Sequence, residues 1–284
     1  MDIAHLFLLV LFALSIGHLV TLKICSVNLD HRTAPVFISG WVTLGLVAAY
    51  PFFGHLLGDG LHALEASPHL FLLGVIKGGL MYAMFIVSQT LMKDSLSSRH
   101  YVTPLSVGVI AIGNSFLGEA LKPGQMLSAF GLCALAAAFF LKGHLSDTSR
   151  ATKMAYVKLV ALSSAISLID QVLVKSSNWY AALWLSNTVL LVISLWINRK
   201  NTDVLKSAFL QKQAALAGFF YVATELVKFY QMVTINPVTV ISIVQALTKP
   251  VILALSALVW KERTLKEQLI WGIMAFALAL PLFF

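Results

Sequence analysis

Residues Ile3–Leu22 form an apolar stretch with no Asp, Glu, Lys or Arg. About 20 such residues are what a helix needs to cross the hydrocarbon core of a bilayer. Lipid gives backbone amides no hydrogen-bond partner, so a run of this kind has to be helical. Similar runs fill the chain, over roughly residues 3–22, 34–53, 69–89, 101–118, 124–141, 154–174, 180–198, 213–233, 237–260 and 266–284. Only 11% of residues are charged, under half of the about 25% usual in soluble domains. That excludes a soluble fold, and the 59% hydrophobic content excludes disorder. The apolar runs are continuous rather than alternating, which excludes a membrane β-barrel. The expected fold is an all-α integral membrane protein with ten transmembrane helices, and its loops are too short to hold a soluble domain.

Charge gives the orientation. The loops after the odd-numbered spans carry Lys23, Arg32, Lys93, Arg99, Lys142, Arg150, Lys153, Arg199, Lys200, Lys206, Lys212, Lys261, Arg263 and Lys266. The loops on the other side carry only Lys122 and Lys175. Cytoplasmic loops are the basic ones, so the expectation is a multi-pass protein of the cell inner (plasma) membrane with both termini outside. The same loops account for the net charge of +8 without a nucleic-acid partner. Met1-Asp2 lacks the positive charge of a signal peptide, so the first run reads as a retained helix. Cys25 and Cys133 form no disulfide or metal pattern.

The two halves of the chain echo each other. Ala13, Ser15 and Lys23 in the first span match Ala165, Ser167 and Lys175 in the sixth at the same offsets, with apolar residues between. Glu119 stands six residues before Gln125, and Glu262 six before Gln268. Each pair joins the fourth and fifth spans of its half. Because five is odd, two five-span halves must cross the membrane in opposite senses. Such inverted repeats carry their site near the midplane between the halves. The division expected is 1–142 for the first repeat, 143–153 for a cytoplasmic linker and 154–284 for the second repeat.

The 5+5 span count, the Lys at the end of the first helix of each half, and the acidic turn Gly118-Glu119-Ala120-Leu121-Lys122-Pro123-Gly124-Gln125 resemble the drug/metabolite transporter superfamily, in particular EamA-type carriers. The stretch Gln245-Ala246-Leu247-Thr248-Lys249-Pro250 is similar to the Gly-Ala-Leu-Asn-Lys motif of nucleotide-sugar transporters, with Gln for Gly and Thr for Asn. The resemblance implies a secondary transporter and, more weakly, an exporter. Two features depart from it. Arg32-Thr33-Ala34-Pro35-Val36-Phe37 stands where an Arg-Phe pair is usual, and the charge count places the termini outside, where relatives keep them cytosolic.

Charged residues deep in membrane helices default to function, because each costs about 2.5–3.5 kcal/mol on insertion scales. Lys77, Glu225, Lys228 and Lys249 lie well inside their spans. Glu225 and Lys228 are three apart and share a helix face, where they can pair. Asp170, near the outer end of its span, is available to one of the other lysines. Lys77 and Lys249 are candidate contacts for a carboxylate or phosphate on a substrate. Pro250 frees a backbone carbonyl and bends the helix beside Lys249. Gln245 and Thr248 lie in the preceding turn and join the candidate site, with Asn187, Tyr82 and Tyr221 as further substrate contacts. Glu225 and Asp170 are the candidate proton-coupling groups, Glu225 alternatively serving as a lysine's structural partner. Helix-to-helix hydrogen bonding remains the competing role for Asn187, Gln245 and Thr248. Small residues at Gly74 and Gly78 permit close helix packing.

No catalytic residues, metal ligands or cofactor motif can be assembled, and the chain reads as a non-enzyme. The expected activity is alternating-access transport of a small polar, anionic metabolite, with the lipid bilayer as its environment and room for a homodimer. Two alternatives stay open: a carrier of an amino acid or of a cationic or zwitterionic compound such as choline, and a lipid-linked sugar flippase.

Overall fold

The computed structural model of the protein describes residues 3–117, 122–141, 149–235, 240–241 and 243–282. Gly118–Leu121 with Glu119, Lys142, residues 143–148 of the expected linker, and Pro237 lie outside these residues. Among the described residues every regular element is helical. The elements are α1 (Ile3–Asn28), α2 (Thr33–Glu65), α3 (Pro68–Asp94), α4 (Leu96–Phe116), α5 (Pro123–Leu141), α6 (Arg150–Ser176), α7 (Trp179–Asn198), α8 (Thr202–Leu210) and α9 (Lys212–Thr234). A π-helical turn (Ile243–Leu247) then leads into α10 (Lys249–Val259), α11 (Leu265–Ala279) and a closing 3-10 turn (Leu280–Leu282).

Six of these segments are long and apolar enough to cross a membrane: Leu6–Asn28, Thr33–Glu65, Pro68–Lys93, Arg150–Ser176, Trp179–Asn198 and Leu265–Leu282. The chain is therefore a multi-pass α-helical membrane protein. The other expected spans fall short for identifiable reasons. The apolar part of α5, Pro123–Ala138, and the whole of α10 are short. The sequences of α4 and α9 are diluted by polar side chains, among them Arg99, His100 and Asn114 in α4 and Glu225, Lys228 and Gln231 in α9.

Three segments differ from the sequence expectation. Helix α2 runs twelve residues past Phe53 to Glu65, carrying His55, Asp59 and His62 on its last turns. It stops before Pro68, which disfavours helix at Ser67. Between α7 and α9 the expected loop contains α8, capped by Asn201, whose side chain accepts from Val204 N at 3.2 Å. The buried Val204 and Ala208 are four apart and share the inward face of α8. The ninth span is not one continuous α-helix: its polypeptide passes through the π-turn and restarts at Lys249, with Pro250 in the first turn of α10. Proline is well tolerated there because the first-turn N–H has no helical acceptor.

The chain forms two compact units, Met1–Gln89 with Ile169–Ile235, and Thr90–Leu168 with Asn236–Phe284. Each draws helices from both halves of the sequence. In the first unit α1 packs along α9, and α2 packs against α7, α8 and α9. In the second, α4 packs on α5, α10 on α4 and α11, and α11 on α5.

Candidate functional site

In the first unit the sequence places Lys77 on α3, Asp170 on α6, and Glu225 and Lys228 on α9. The fold brings all four into one buried network. The Lys77 ammonium pairs with Asp170 Oδ1 and donates to Ser186 Oγ at 2.9 Å. Lys228 Nζ sits 2.7 and 2.8 Å from the two oxygens of Glu225, and 3.8 Å from Asp170 Oδ2. Both ammonium groups also stand 4.7 Å from the centre of the Phe229 ring, where the negative ring face attracts a cation. Two positive and two negative groups leave the quartet neutral. The i,i+3 spacing of Glu225 and Lys228 pairs them within one helix, so Glu225 has its counter-charge beside it.

Gly78 sets the position of Lys77. A Cβ added at Gly78 would lie 2.8 Å from the Ser186 carbonyl oxygen and 2.6 Å from Val189 Cβ. Only the missing side chain lets α3 approach α7 closely enough for the Lys77–Ser186 bond. The Gly74-x-x-x-Gly78 motif is thus a packing seam against α7, with Leu185 facing Gly74.

The other candidates of this unit divide into two groups. Tyr221 is buried beside the quartet, edge-on to His18 at 4.9 Å between ring centroids and to Phe85 at 5.5 Å. Tyr82 is half-buried and hydrogen-bonded to Asn198. Asn187 is a helix tie: its Nδ2 donates to Ser39 O at 3.2 Å and to Thr43 Oγ1 at 2.9 Å, joining α7 to α2. Tyr180 adds a second tie from its hydroxyl to Leu46 O at 2.5 Å.

The second unit holds Lys249, Gln245 and Thr248. Lys249 is 1% exposed, and its ammonium is 3.1 Å from His100 Nδ1 on α4. Among the described residues no carboxylate lies within ion-pair distance of it. His100 is also 1% exposed, and its Nε2 has no hydrogen-bond partner among the described residues. Arg99, beside it in the sequence, is partly buried. Its guanidinium touches Met92 Sδ at 3.9 Å, its Nε has no partner among the described residues, and its charge acts on both His100 and Lys249. Gln245 bridges two helices, accepting from Ser106 Oγ on α4 and donating to Ser163 Oγ on α6 at 3.1 Å. Thr248 is fully buried as the residue before α10.

Two features hold this arrangement in place. A Cβ at Gly272 on α11 would lie 2.7 Å from Pro250 Cα, so a glycine is needed where α11 crosses the start of α10. Glu262, in the turn after α10, clasps the start of α4. Its oxygens accept from Leu96 N and Ser97 N at 2.8 Å each and from Ser95 Oγ at 3.1 Å. Lys261, in that turn, has a left-handed φ of 54°. Six residues beyond Glu262, Gln268 Oε1 accepts from Tyr101 OH at 2.9 Å. The Glu262/Gln268 spacing seen in the sequence is therefore a two-point grip on the first turns of α4.

The sequence reading omitted His100 and Glu262 from the site and counted Arg99 only as a loop cation. Arg99 and His100 precede the apolar run of α4, and nothing in their local pattern points to Lys249. Glu262 did carry a signal, its repeat spacing to Gln268, whose chemical meaning needed the fold. No protein-family model matches the chain, and no curated protein sequence matches it.

Proposed function

We propose that the protein is a secondary transporter that carries a small polar metabolite with an anionic group by alternating access, on a plan of ten spans in two inverted five-helix repeats. One observation carries the reading. Lys249 is a buried cation without a protein carboxylate among the described residues, at a break in the ninth span. An isolated buried charge is costly, and a fold retains one where a ligand supplies the missing counter-charge. Broken helices at the site are a recurring feature of secondary transporters. The resemblance to drug/metabolite transporters, the inner-membrane location, the outside termini and the export direction belong to this reading and rest on the sequence patterns that suggested them.

Asp170 and Glu225 are the carboxylates available for proton coupling. Protonating either one releases its lysine, and the partners lie on α3, α6 and α9, so a proton taken up here changes the links between helices. The test is substrate-driven counterflow in proteoliposomes against a panel of anionic and cationic metabolites. Anionic metabolites are expected to exchange, Lys249→Ala to stop exchange, and Lys249→Arg to restore part of it, since a guanidinium differs from an ammonium in shape and donor geometry. Exchange by Lys249→Ala at the wild-type rate, or exchange of cations only, would sink the reading.

A second reading has one observation behind it. In the second unit a groove of about 660 Å³ runs between α4 and α6, lined by Leu105, Val109, Val157, Val160 and Leu168 among others. Its Val109 and Val157 walls are exposed. Such a surface fits an acyl chain, as a flippase for lipid-linked sugars requires. Transbilayer movement of a labelled polyprenyl-phosphate sugar in the same proteoliposomes, without metabolite exchange, would favour it.

A further inference from the structure

We propose that Arg99, His100 and Lys249 together form a binding site for a compact dianionic oxyanion, either a free inorganic dianion or the phosphate group of a monoester. The inference rests on the reading of Lys249 as a substrate contact and adds the ligand's charge and two further residues. The argument starts from hydrogen-bond chemistry. An ammonium has only donors to offer, so at 3.1 Å His100 Nδ1 must accept from Lys249. An imidazole that accepts at Nδ1 is neutral there and carries its proton on Nε2. That N–H is buried and has no acceptor among the described residues. A buried donor left unmade costs about as much as a lost hydrogen bond, which makes it a place for a ligand oxygen.

Charge then sets the ligand class. Lys249 and Arg99 supply two positive charges, and His100 supplies a neutral donor. In a site screened from water, a ligand of charge −2 neutralises the pair, whereas a monoanion leaves one positive charge uncompensated. Glu262, beside the start of α4, is engaged with the amides of Leu96 and Ser97. Lys249 also lies at the first turn of α10, whose N-terminus favours negative charge. Arg99 adds a planar fork that suits two oxygens of one tetrahedral group.

The experiment measures binding of sulfate, methyl phosphate, chloride and acetate to the purified full-length protein by calorimetry. Sulfate and methyl phosphate are expected to bind, and chloride and acetate to bind at least tenfold more weakly. Binding of the ester is expected to fall as pH drops through about 6, where a phosphate monoester takes up its second proton, while sulfate binding holds. His100→Leu and Arg99→Gln are each expected to weaken sulfate binding by about 10- to 150-fold, the range for one charge-assisted contact. His100→Gln, which keeps an N–H donor, is expected to recover part of it. Equal affinity for acetate and sulfate in the wild-type protein overturns the inference without any variant, as does a lack of binding by either dianion. If Lys249→Ala stops metabolite exchange while His100→Leu and Arg99→Gln bind sulfate as the wild type does, the carrier reading stands and this site assignment falls.

Discussion

Each compact unit holds a cluster of buried charged side chains, and the two clusters differ in how their charges balance. In the first unit's cluster, Lys77 and Lys228 face Asp170 and Glu225, and these four groups sum to zero. In the second, Lys249 meets a histidine nitrogen, Arg99 stands nearby, Glu262 is committed to the backbone of α4, and Glu267 is paired with Arg263. A neutral quartet holds helices together without help from a ligand. A positively charged cluster is incomplete until something negative arrives. The difference separates a network that stabilises the fold from one that the fold has to tolerate.

The largest expected effect tests the balanced side. Removing one member of a buried ion network costs about 3–5 kcal/mol, because its partner is left charged and unpaired. Asp170→Ala takes the counter-charge from Lys77 and one contact from Lys228, so a loss of that size is expected in unfolding measured in detergent. Adding Lys77→Met to Asp170→Ala should recover much of it. A single variant as stable as the wild type would end the distinction between the units.

The next effect has the opposite sign. Replacing Lys249 with Met keeps the stem length and removes a charge that no carboxylate among the described residues balances. Exchange of buried ionic groups for apolar ones of similar volume has raised stability by about 1–4 kcal/mol elsewhere. Lys249→Met is therefore expected to melt at a higher temperature than the wild type in ligand-free buffer, while losing anion binding. A lowered melting temperature would mean that Lys249 is a structural partner, and the comparison would collapse into two scaffolding networks.

A smaller effect sharpens the role of Glu262. Helix capping groups contribute about 0.5–2 kcal/mol. Glu262→Gln keeps one acceptor oxygen of the two and is expected to cost about 1 kcal/mol. If the clasp also positions Arg99 and His100, anion affinity should fall by more than the stability loss explains, and Glu262→Asp should restore neither in full because its shorter stem cannot span both amides.

These expectations show where the sequence was informative. The membrane class was legible in the uncharged runs, since a bilayer permits few alternatives to a helix. The Glu225–Lys228 pair was legible because it is local, fixed by 3.6 residues per turn. The break beside Lys249 was legible through Pro250, although its π-turn was not. The Lys77–Asp170 pair was named only as an option, because their contact depends on how α3 and α6 pack, and 93 positions separate them in the sequence. His100 was invisible for the same reason: its place against Lys249 comes from the packing of α10 on α4, and a histidine at the foot of a helix carries no periodic signal.

The smallest effect asks whether the first unit also touches substrate. Asn187 was a candidate substrate contact, yet its amide nitrogen already serves α2 through Ser39 O and Thr43 Oγ1, while its Oδ1 has no partner among the described residues. Hydrogen bonds between membrane helices are worth about 0.6 kcal/mol on average. If the tie is all that Asn187 contributes, Asn187→Ala should lose about that much stability and leave anion affinity unchanged. Asn187→Asp distinguishes the alternatives further. It replaces the donor with a second acceptor facing a carbonyl, so it should destabilise more than the alanine, whatever the ligand. Should Asn187→Ala instead weaken exchange tenfold with an unchanged melting temperature, Oδ1 would be reading substrate, and the balanced unit would supply a substrate contact beside its proton-coupling carboxylates.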